Sequence, residues 1–285
     1  MSLASDMSYS VPASSPSAAV DRDAIAEIFA QIACEAGVAV MSVYASGCAV
    51  RVKPDQSLVC DADEYAEAII LKRLGELLPQ FPVLAEEAAA AGKRTVDGDA
   101  FILVDPVDGT REFLERNGEF TINIALVVDG APVAGVVYAP ALGRMWVAGR
   151  AAASCLVEPG APPPPPQERR SIHVRRAPGQ GLTALASRSH SDPRTEAFLA
   201  ALPLRERRNV GSSLKFCRLA EGDADVYPRF SQTMEWDTAA GDAVLRAAGG
   251  VVIGEDDRPL RYGKAGLQFR NGPFVAWGDP NAVRA

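Results

Sequence analysis

Residues 101–113 read FILVDPVDGTREF, an apolar run that predicts a buried strand and that ends in two carboxylates. Burying an unpaired charge is unfavourable, so acids at the end of such a strand need a counter-charge or a ligand. Pro106 fixes a turn that allows the side chains of Asp105 and Asp108 to converge. The carbonyl oxygen of Val107 lies between them as a further oxygen ligand. Hard divalent cations prefer carboxylate and carbonyl oxygens, so the motif predicts a metal site.

The residues after the two acids suit a phosphate group. Gly109 has no side chain, so the backbone can approach an anion closely there. The backbone N–H groups that follow, starting at Thr110, open a predicted helix whose positive end favours negative charge. A nucleophilic aspartate of the haloacid-dehalogenase type is excluded, because its D-x-D-G-T motif needs an acid where Pro106 stands. The motif therefore predicts that a cation and a phosphate group meet at the end of this strand.

Two further acidic patterns lie at the predicted ends of other elements. Glu86 and Glu87 end the strand-like string FPVLAEE, and Asp237 in EWDTAAG is predicted as the N-cap of a helix of small residues. Acids at strand ends and helix starts are common, and any one of them alone is more often structural. Together with DPVDGT they become informative, because separate acidic segments can supply the several oxygens that a hard cation needs.

The composition limits the classes of protein to which this chain can belong. The chain has 285 residues, of which 48% are hydrophobic and 23% charged, so it can bury the core of one large or two modest domains. Its formal net charge of −7 argues against a nucleic-acid polymer as partner, since proteins that bind one usually carry a basic face. Five scattered cysteines without a C-x-x-C pair, and only two histidines, argue against disulfides and zinc. A reducing cytoplasm is expected.

The N-terminal residues 1–20 are rich in Ser, Ala and Pro and lack a basic start followed by an apolar run. They predict a disordered leader and not a signal peptide. No apolar run approaches the ~18 residues of a membrane helix, so no integral membrane segment is expected. The segment 158–170 contains five consecutive prolines and predicts an exposed, polyproline-like loop. Recognition of this loop by a proline-binding partner is the less favoured alternative.

Hydrophobic periodicity predicts the elements that position the acidic residues. An Asp-Gly turn joins two β-rich runs into a hairpin over 120–140. Because helices alternate with mixed strands, a layered α/β fold with a second domain from about residue 150 is expected. Predicted helices span 21–45, 61–78, 192–202, 212–228 and 236–250, and predicted strands span 81–87, 100–105, 145–150, 151–157, 182–190, 251–254, 259–263 and 274–278.

The acidic strings, taken in order, resemble the inositol monophosphatase-like superfamily of lithium-sensitive, magnesium-dependent phosphatases. The resemblance implies an α/β (α+β) fold, an alternating five-layer αβαβα sandwich of the inositol monophosphatase and fructose-1,6-bisphosphatase type. It runs from residue 20 to 280, apart from the proline-rich segment. Within this superfamily the chain resembles most the 3′(2′),5′-bisphosphate nucleotidases of the bacterial CysQ type. The strings that carry this resemblance are REFLERNGEFTINIALV, GVVYAP, SRSH, GSSLKFC and ADVYPRF.

Carried over position by position, the resemblance implies two or three magnesium ions and a set of functional residues. The implied metal ligands are Glu86, Asp105, the Val107 carbonyl, Asp108 and Asp237, and the implied water-activating pair is Asp63 and Thr110. Phosphate is expected at the N–H groups of Gly109 and Thr110, and the nucleotide at Ser189, His190, Ser212, Lys215 and Arg229. Two cations suit a substrate with a second phosphate that metals do not hold. Solvated surface charges are the alternative interpretation of those two cations.

One residue departs from the family pattern. Three residues before the implied catalytic Asp63, where the family usually has a threonine, this chain has Cys60. A thiol is a poorer hydrogen-bond partner than a hydroxyl, so the orientation of Asp63 is affected. The acid itself is retained and keeps its expected catalytic role.

The resemblance implies magnesium-dependent hydrolysis of the 3′-phosphate of 3′-phosphoadenosine 5′-phosphate (PAP), giving AMP and phosphate, in sulfur assimilation and nucleotide recycling. Water would attack in line while Asp63, acting through Thr110, takes its proton. Three alternatives stay open: an inositol or sugar phosphatase of the same superfamily, a non-catalytic nucleotide sensor in which Cys60 marks a decayed site, and a cation-buffering scaffold. The last is disfavoured, because calcium-loop spacing is absent.

The expected organisation has four parts. Residues 1–20 form the leader, 21–157 an N-terminal α+β metal-binding half, 158–170 the proline-rich loop, and 171–285 a C-terminal α/β half. The C-terminal half is expected to carry the nucleotide contacts and the last metal ligand. The expected partner is a small nucleotide bisphosphate, and a homodimer is a family-level expectation. The expected localisation is cytoplasmic, with peripheral attachment to the inner membrane as an option.

Overall fold

A computed structural model of the chain describes residues 20–48, 50–52, 58–93, 96, 98–189 and 192–283. Nearly all of the predicted leader, and His190, lie outside the described residues. The described part of the chain forms seven α-helices: α1 (Arg22–Ser46), α2 (Asp61–Leu77), α3 (Glu86–Ala90), α4 (Thr110–Leu114), α5 (Pro193–Ala200), α6 (Leu214–Ala220) and α7 (Trp236–Ala247).

A seven-stranded sheet carries the first acidic segments. Its strands follow chain order, and they pair antiparallel except for the first two, which are parallel. The hairpin predicted over 120–140 is confirmed, and Asp129 and Gly130 form its turn with positive φ angles of 50° and 70°. The strands are β3 (Val83–Ala85), β4 (Ala100–Asp108), β5 (Thr121–Val128), β6 (Ala131–Ala139), β7 (Arg144–Ala148), β8 (Ala152–Leu156) and β9 (Arg170–Ser171); β1 (Val50–Val52) and β2 (Leu58–Cys60) form a separate pair.

A five-stranded sheet lies in the C-terminal half, in the order β11-β10-β12-β16-β14. β10 is parallel to β11 and β12, and β16 is antiparallel to both of its neighbours. The carboxyl ends of four strands therefore share one edge of this sheet. The strands are β10 (Leu182–Ser187), β11 (Leu204–Val210), β12 (Val226–Arg229), β14 (Val251–Gly254) and β16 (Phe274–Trp277); β13 (Thr233–Met234) and β15 (Arg270–Asn271) form a small pair.

The helices and the two large sheets alternate in five layers. α1 and α2 pack together and cover one face of the seven-stranded sheet. α6 and α7 fill the space between the two sheets, and α5 lies on the outer face of the five-stranded sheet. The central strands β4 and β5 are buried on both faces, which explains why their sequences are continuous apolar runs without alternation. The predicted αβαβα fold class is confirmed.

α1 is a long apolar helix that belongs to this core. Among the described residues it is the one helix whose length and composition would allow it to cross a membrane, and 56% of its most apolar window is buried inside the protein. Phe29, Ile32 and Val40 on this helix are fully buried against α2 and the sheet. A core helix of this kind passes the same length and composition test as a membrane span.

Small residues allow α7 to approach the seven-stranded sheet closely. A Cβ atom at Gly135 in β6 would lie only 3.0 Å from the side chain of Ala243 in α7. A Cβ atom at Gly241 would lie 2.4 Å from the Phe216 ring in α6. The small residues of WDTAAGDA therefore bring the start of α7 close to the end of β4, where the first acidic motif lies.

Several predicted elements differ from the observed ones. The helical pattern predicted over 212–228 ends at Ala220, and 226–229 instead forms the strand β12, because a turn at 221–225 reverses the chain. The strand predicted over 259–263 is limited to a single bridge between Pro259 and Ile253.

Strand β11 was not predicted, because its sequence LRERRNV has no apolar alternation. It is an edge strand whose charged side chains form ion pairs, such as Arg207 with Glu196 and Arg208 with Glu206. Asp237 is also not the N-cap that was expected; α7 begins one residue earlier, at Trp236.

The proline-rich segment is attached to the rest of the protein by its last residues. Arg169 is buried, and its Nε donates a hydrogen bond to the Pro164 carbonyl. Its two terminal nitrogens pair with the carboxylate of Glu27 in α1, at 2.7 and 2.5 Å. The division of the chain at 157 and 170 stays a prediction.

Candidate active site

Three carboxylates from three different elements meet in one place. Glu86 begins α3 directly after β3, Asp105 lies in β4, and Asp237 lies in the first turn of α7. One oxygen of each carboxylate lies within 4.8 Å of an oxygen of the other two. β3 and β4 are parallel neighbours, so their carboxyl ends lie side by side, and α7 adds the third acid from the layer between the sheets. The tertiary fold therefore assembles an all-oxygen cluster from segments up to 151 residues apart in sequence, the separation of Glu86 and Asp237.

These acids form one wall of a cleft of about 320 Å³ between the two halves of the molecule. The opposite wall comes from the carboxyl edge of the five-stranded sheet and from the start of α6. The cleft is lined by the predicted residues Glu86, Asp105, Val107, Asp108, Gly109, Thr110, Ser212, Lys215, Arg229 and Asp237, and also by Arg111, Glu112, Ser187, Ser213, Phe216, Tyr227, Gln232, Thr233 and Thr238.

The acidic cluster is electrostatically unfavourable without a cation. Burial raises the pKa of Asp105 well above its usual range, and the negative charges of Glu86, Asp108 and other acids raise it further. Burial also raises the pKa of Asp237 well above its usual range, and the charge of Asp108 adds to the effect. The charged neighbours with the largest effect on the pKa of Asp105 are all acids. A bound cation is the group that would relieve this repulsion.

Asp108 has a different environment from the three clustered acids. Burial raises its pKa to about 6, while the positive charge of Lys215 acts in the opposite direction. Its Oδ2 accepts a hydrogen bond of 2.5 Å from the backbone N–H of Ser213, at the start of α6. The Ser213 hydroxyl in turn bonds to Asn123 and Thr121 in β5. Asp108 therefore connects the DPVDGT loop to the C-terminal half.

The turn after Asp108 has the conformation that its glycine suggested. Gly109 has a φ of 92° and is the N-cap of the short helix α4. The Val107 N–H donates to Asp105 Oδ1 at 3.1 Å, and the Thr110 hydroxyl reaches the Val107 carbonyl at 3.5 Å. A Cβ atom at Gly109 would lie 3.3 Å from Ser212 and from the Glu119 carbonyl. A side chain is therefore unfavourable here, both for the backbone angle and for space.

Asp63 lies at the start of α2 and is buried; it is not among the residues that line the cleft. Its Oδ2 accepts a hydrogen bond of 2.8 Å from the Cys60 N–H, and the Cys60 side chain accepts from the Asp63 N–H. This reciprocal capping box holds the Asp63 carboxylate in place through the backbone of residue 60, whichever side chain that residue has. Asp63 is close enough to Asp105 for its charge to raise the Asp105 pKa.

The basic wall contains Lys215 and Arg229. Lys215 is buried, and its Nζ donates to the Val210 carbonyl at 3.1 Å and to the Ser212 carbonyl at 2.5 Å. Burial lowers its pKa to about 8, and the charge of Asp108 opposes that shift. The alternative of a solvated surface lysine is therefore wrong. Arg229, at the end of β12, has a buried Nε without a hydrogen-bond partner among the described residues.

The backbone between β11 and α6 is strained where it passes the cleft. Ser212 has a φ of 46°, a left-handed conformation that costs on the order of 1 kcal/mol for a residue other than glycine. This conformation points the Ser212 carbonyl at Lys215 and the next N–H, from Ser213, at Asp108. The strain is thus associated with the contacts that orient one acid and one base of the cleft.

Ser189 is hydrogen-bonded to two residues that line the cleft. Its hydroxyl donates to Glu112 at 2.5 Å, and its carbonyl accepts from Arg111 at 3.1 Å. Nothing is described for its predicted companion, His190. Glu112 and Ser213 are cleft residues that were not predicted, although they lie inside the quoted strings FILVDPVDGTREF and GSSLKFC. Their position in these strings is the signal that could have found them.

The cluster fits magnesium by the chemistry of its donors. Glu86, Asp105 and Asp237 offer only carboxylate oxygens, which are the ligands of a hard cation, and no thiol or imidazole is among them. Magnesium usually keeps several waters and binds through few carboxylates together with a substrate phosphate, so three acids at the wall of an open cleft are sufficient.

The fold and the site together define a class: an α/β protein with a metal-type carboxylate cluster at the junction of two sheets. The family model described as "Inositol monophosphatase family" matches residues 21–276. The chain belongs to the inositol monophosphatase family. The resemblance drawn from the acidic strings is therefore confirmed.

Relatives from this family align with most of this chain. The 3′(2′),5′-bisphosphate nucleotidase CysQ of Escherichia coli O157:H7 is 43% identical over 237 residues, covering 81% of this chain and 91% of that protein. CysQ of Buchnera aphidicola is 38% identical over 249 residues, covering 86% of this chain and 91% of that protein. The crystal structure of CysQ from Bacteroides thetaiotaomicron has a TM-score of 0.75 and 37% identity, and it covers 90% of this chain and 97% of that one.

Proposed function

We propose that this protein is a magnesium-dependent 3′(2′),5′-bisphosphate nucleotidase that removes the 3′-phosphate of PAP and releases AMP. Its relatives at 43% identity are nucleotidases of this kind, and they align over most of their length. The observation that carries the proposal is the pairing of two walls across one cleft. Carboxylates suited to a metal face two cations, Lys215 and Arg229, that suit a second phosphate.

The acidic wall would hold the metal and the phosphate that is cleaved. Glu86, Asp105, Asp108, Asp237 and the Val107 carbonyl are the proposed ligands. Magnesium is general for this family, and when bound it supplies charge neutralisation and activation of water. The number of ions, two or three, stays a prediction. The N–H groups of Gly109 and Thr110 would meet the phosphate at the turn after β4.

Asp63 and Thr110 are the proposed proton-accepting pair. The capping box at Cys60 supports this role, because it fixes the Asp63 carboxylate without needing a threonine hydroxyl at residue 60. No side chain of the cleft is assigned as a covalent nucleophile, so the residues would act by positioning and by electrostatic stabilisation.

The basic wall would hold the phosphate that is not cleaved. Lys215 is fixed by two carbonyl groups, and the buried Nε of Arg229 is a donor without a partner among the described residues. A buried donor without a partner is unfavourable, so a phosphate oxygen would satisfy it. An inositol monophosphate carries no second phosphate and would leave this wall unused. Ser189, His190 and Ser212 are proposed further contacts to the nucleotide.

A phosphate-release assay with purified protein tests the proposal. PAP, inositol 1-phosphate and fructose 1,6-bisphosphate are compared at increasing magnesium, with and without lithium, and with EDTA as the metal-free control. The proposal expects PAP to be hydrolysed fastest, and only with magnesium. Preference for inositol 1-phosphate or fructose 1,6-bisphosphate would favour the sugar-phosphatase alternative. Binding of PAP without magnesium-dependent phosphate release would favour the nucleotide sensor.

The proposed partner is the small nucleotide bisphosphate itself. A cytoplasmic localisation is proposed by analogy with the CysQ proteins. The comparisons give no support for attachment to the inner membrane. The homodimer stays a prediction, and gel filtration with light scattering measures it directly.

A further inference from the structure

Glu112 lines the cleft but has no part in the roles proposed so far. Its side chain is only 4% exposed, although it faces the cleft from α4. A carboxylate in a phosphate-binding cleft repels the anion that it faces, so its presence needs a separate reason. The acidic cluster does not provide that reason, because its three members are Glu86, Asp105 and Asp237.

Two glycines enclose the Glu112 side chain and fix its place. A Cβ atom at Gly211 would lie 2.7 Å from Glu112 Cγ, and a Cβ atom at Gly109 would lie 3.3 Å from Glu112 Oε2. The backbone of the strained turn after β11 therefore lies against one side of the carboxylate, and the turn after β4 lies against the other. A side chain confined in this way presents its oxygens in a defined direction.

The defined direction is towards Ser189. Glu112 Oε1 accepts a hydrogen bond of 2.5 Å from the Ser189 hydroxyl, and the Arg111 guanidinium holds the Ser189 carbonyl at 3.1 Å. A carboxylate oxygen only accepts hydrogen bonds, so the hydroxyl proton of Ser189 points at Glu112. The Ser189 oxygen then has only lone pairs left for a ligand.

We propose that Glu112 is a positioning residue that holds the Ser189 hydroxyl as a hydrogen-bond acceptor for the nucleoside part of the substrate. The ligand group is an N–H or O–H of the base or the ribose. A phosphate dianion has no proton to donate, so Ser189 is not a phosphate ligand. This inference rests on the proposed function and adds to it the reason why a nucleoside, and not only two phosphates, is recognised.

Kinetics with PAP test the pair. The variants are Glu112→Ala, Ser189→Ala, the double variant and Glu112→Gln, which keeps an acceptor oxygen for Ser189. The KM for PAP is expected to rise about threefold to tenfold in each alanine variant, the effect of one lost hydrogen bond, while kcat changes little. The double variant is expected to equal the single ones, because both remove the same contact. Glu112→Gln is expected to restore the wild-type KM.

Two controls separate positioning from a general change in charge or fold. Glu115→Ala removes an exposed carboxylate three residues further along and is expected to leave the KM for PAP unchanged. The inhibition constant of inorganic phosphate, which has no nucleoside, is expected not to rise in any variant, and it falls where the Glu112 charge is removed because that charge repels the anion. Thermal melting checks folding, and Glu112→Met, which keeps the side-chain length, replaces an alanine variant that melts early.

Several results would overturn the inference: an unchanged KM in Glu112→Ala, additive effects in the double variant, loss of binding in Glu112→Gln, or a rise in the phosphate inhibition constant equal to the rise in KM. If the wild-type protein released no phosphate from PAP, the proposed function would fail separately. Calorimetric binding of AMP to the same variants would then test the Glu112–Ser189 pair. A dissociation constant about threefold to tenfold higher in each alanine variant is expected, and an unchanged constant would contradict the pair.

Discussion

The acidic and the basic wall of the cleft are built in different ways. The acids follow buried strands of the seven-stranded sheet or begin helices. They are crowded together, and the charged neighbours that act most strongly on Asp105 are acids. Lys215, in contrast, is held by two backbone carbonyls and faces an acid, Asp108. The acidic wall is thus crowded with like charges, whereas in the basic wall Lys215 already has partners and Arg229 keeps a buried Nε that has none among the described residues. The difference suggests that the first wall binds metal and the second binds an anion.

Asp105→Asn is the change expected to have the largest effect. The amide removes the charge of a proposed metal ligand, and its oxygen can still accept the Val107 N–H. Loss of a metal ligand is expected to lower kcat/KM for PAP at least about 100-fold, as measured by phosphate release. The same change is expected to raise the melting temperature in EDTA, because it relieves repulsion among buried acids.

Asp225→Asn is the matched control for the acidic wall. Asp225 is also buried, but both of its oxygens are paired, with Arg175 at 2.8 Å and with the Thr183 N–H at 2.7 Å. Its neutralisation is therefore expected to lower the melting temperature and to leave the magnesium dependence of activity intact. If both variants lowered the melting temperature in EDTA equally, the acids of the cleft would be structural and not metal ligands.

Lys215→Met tests the basic wall. Removal of a charge-assisted hydrogen bond to phosphate is worth about 1.5–3 kcal/mol, so the KM for PAP is expected to rise about 10-fold to 100-fold. The inhibition constant of inorganic phosphate is expected to change much less, because that ion would bind to the metal at the acidic wall and not to Lys215. Equal losses for PAP and for phosphate would mean that Lys215 serves the cleaved phosphate, which contradicts the division between the walls.

A pH profile sharpens the same comparison. Burial lowers the pKa of Lys215 to about 8, so the lysine is charged below that pH and loses its proton above it. Because kcat/KM reports the free enzyme, its value for PAP is expected to fall through a midpoint near pH 8. In Lys215→Met this alkaline fall is expected to disappear. A wild-type profile that stays flat up to about pH 9.5 would mean that Lys215 titrates near the ordinary lysine pKa of about 10.4, and it would contradict the assignment.

Cys60→Thr is expected to have the smallest effect. The Asp63 carboxylate is held by the N–H of residue 60, which the substitution keeps. A hydroxyl is a better N-cap than a thiol, so the free energy of unfolding is expected to rise by about 0.5–1 kcal/mol and kcat to change less than about threefold. Denaturant unfolding and PAP kinetics measure the two quantities. A gain in kcat of several tens-fold would instead mark Cys60 as the decayed site of a sensor.

The acidic wall could be predicted from sequence more completely than the basic wall. A buried strand followed by DPVDGT carries its burial, its turn and its acids in one local string, so Asp105 and Asp108 were found without tertiary information. The burial of Lys215 could not be read in this way, because it depends on the packing of α6 between two sheets. Glu112 was missed for a related reason, since its partner Ser189 is 77 residues away in sequence.

The fold shows the same division between local and distant information. The hairpin of β5 and β6 was predicted correctly because its Asp-Gly turn and its β-rich strands are local. Strand β11 was missed because its charged sequence is stabilised by a neighbouring strand and by ion pairs that the sequence does not display. The helix predicted through residue 228 was wrong because an apolar run in ADVYP fits a strand as well as a helix.

The measurement that tests the central claim most directly is an anomalous difference map from crystals soaked in manganese, a scattering substitute for magnesium. The account predicts a strong peak bounded by the carboxylates of Glu86, Asp105 and Asp237, and its loss in Asp105→Asn. A map without a peak between these three side chains, from protein that hydrolyses PAP in the same manganese solution, would contradict the account.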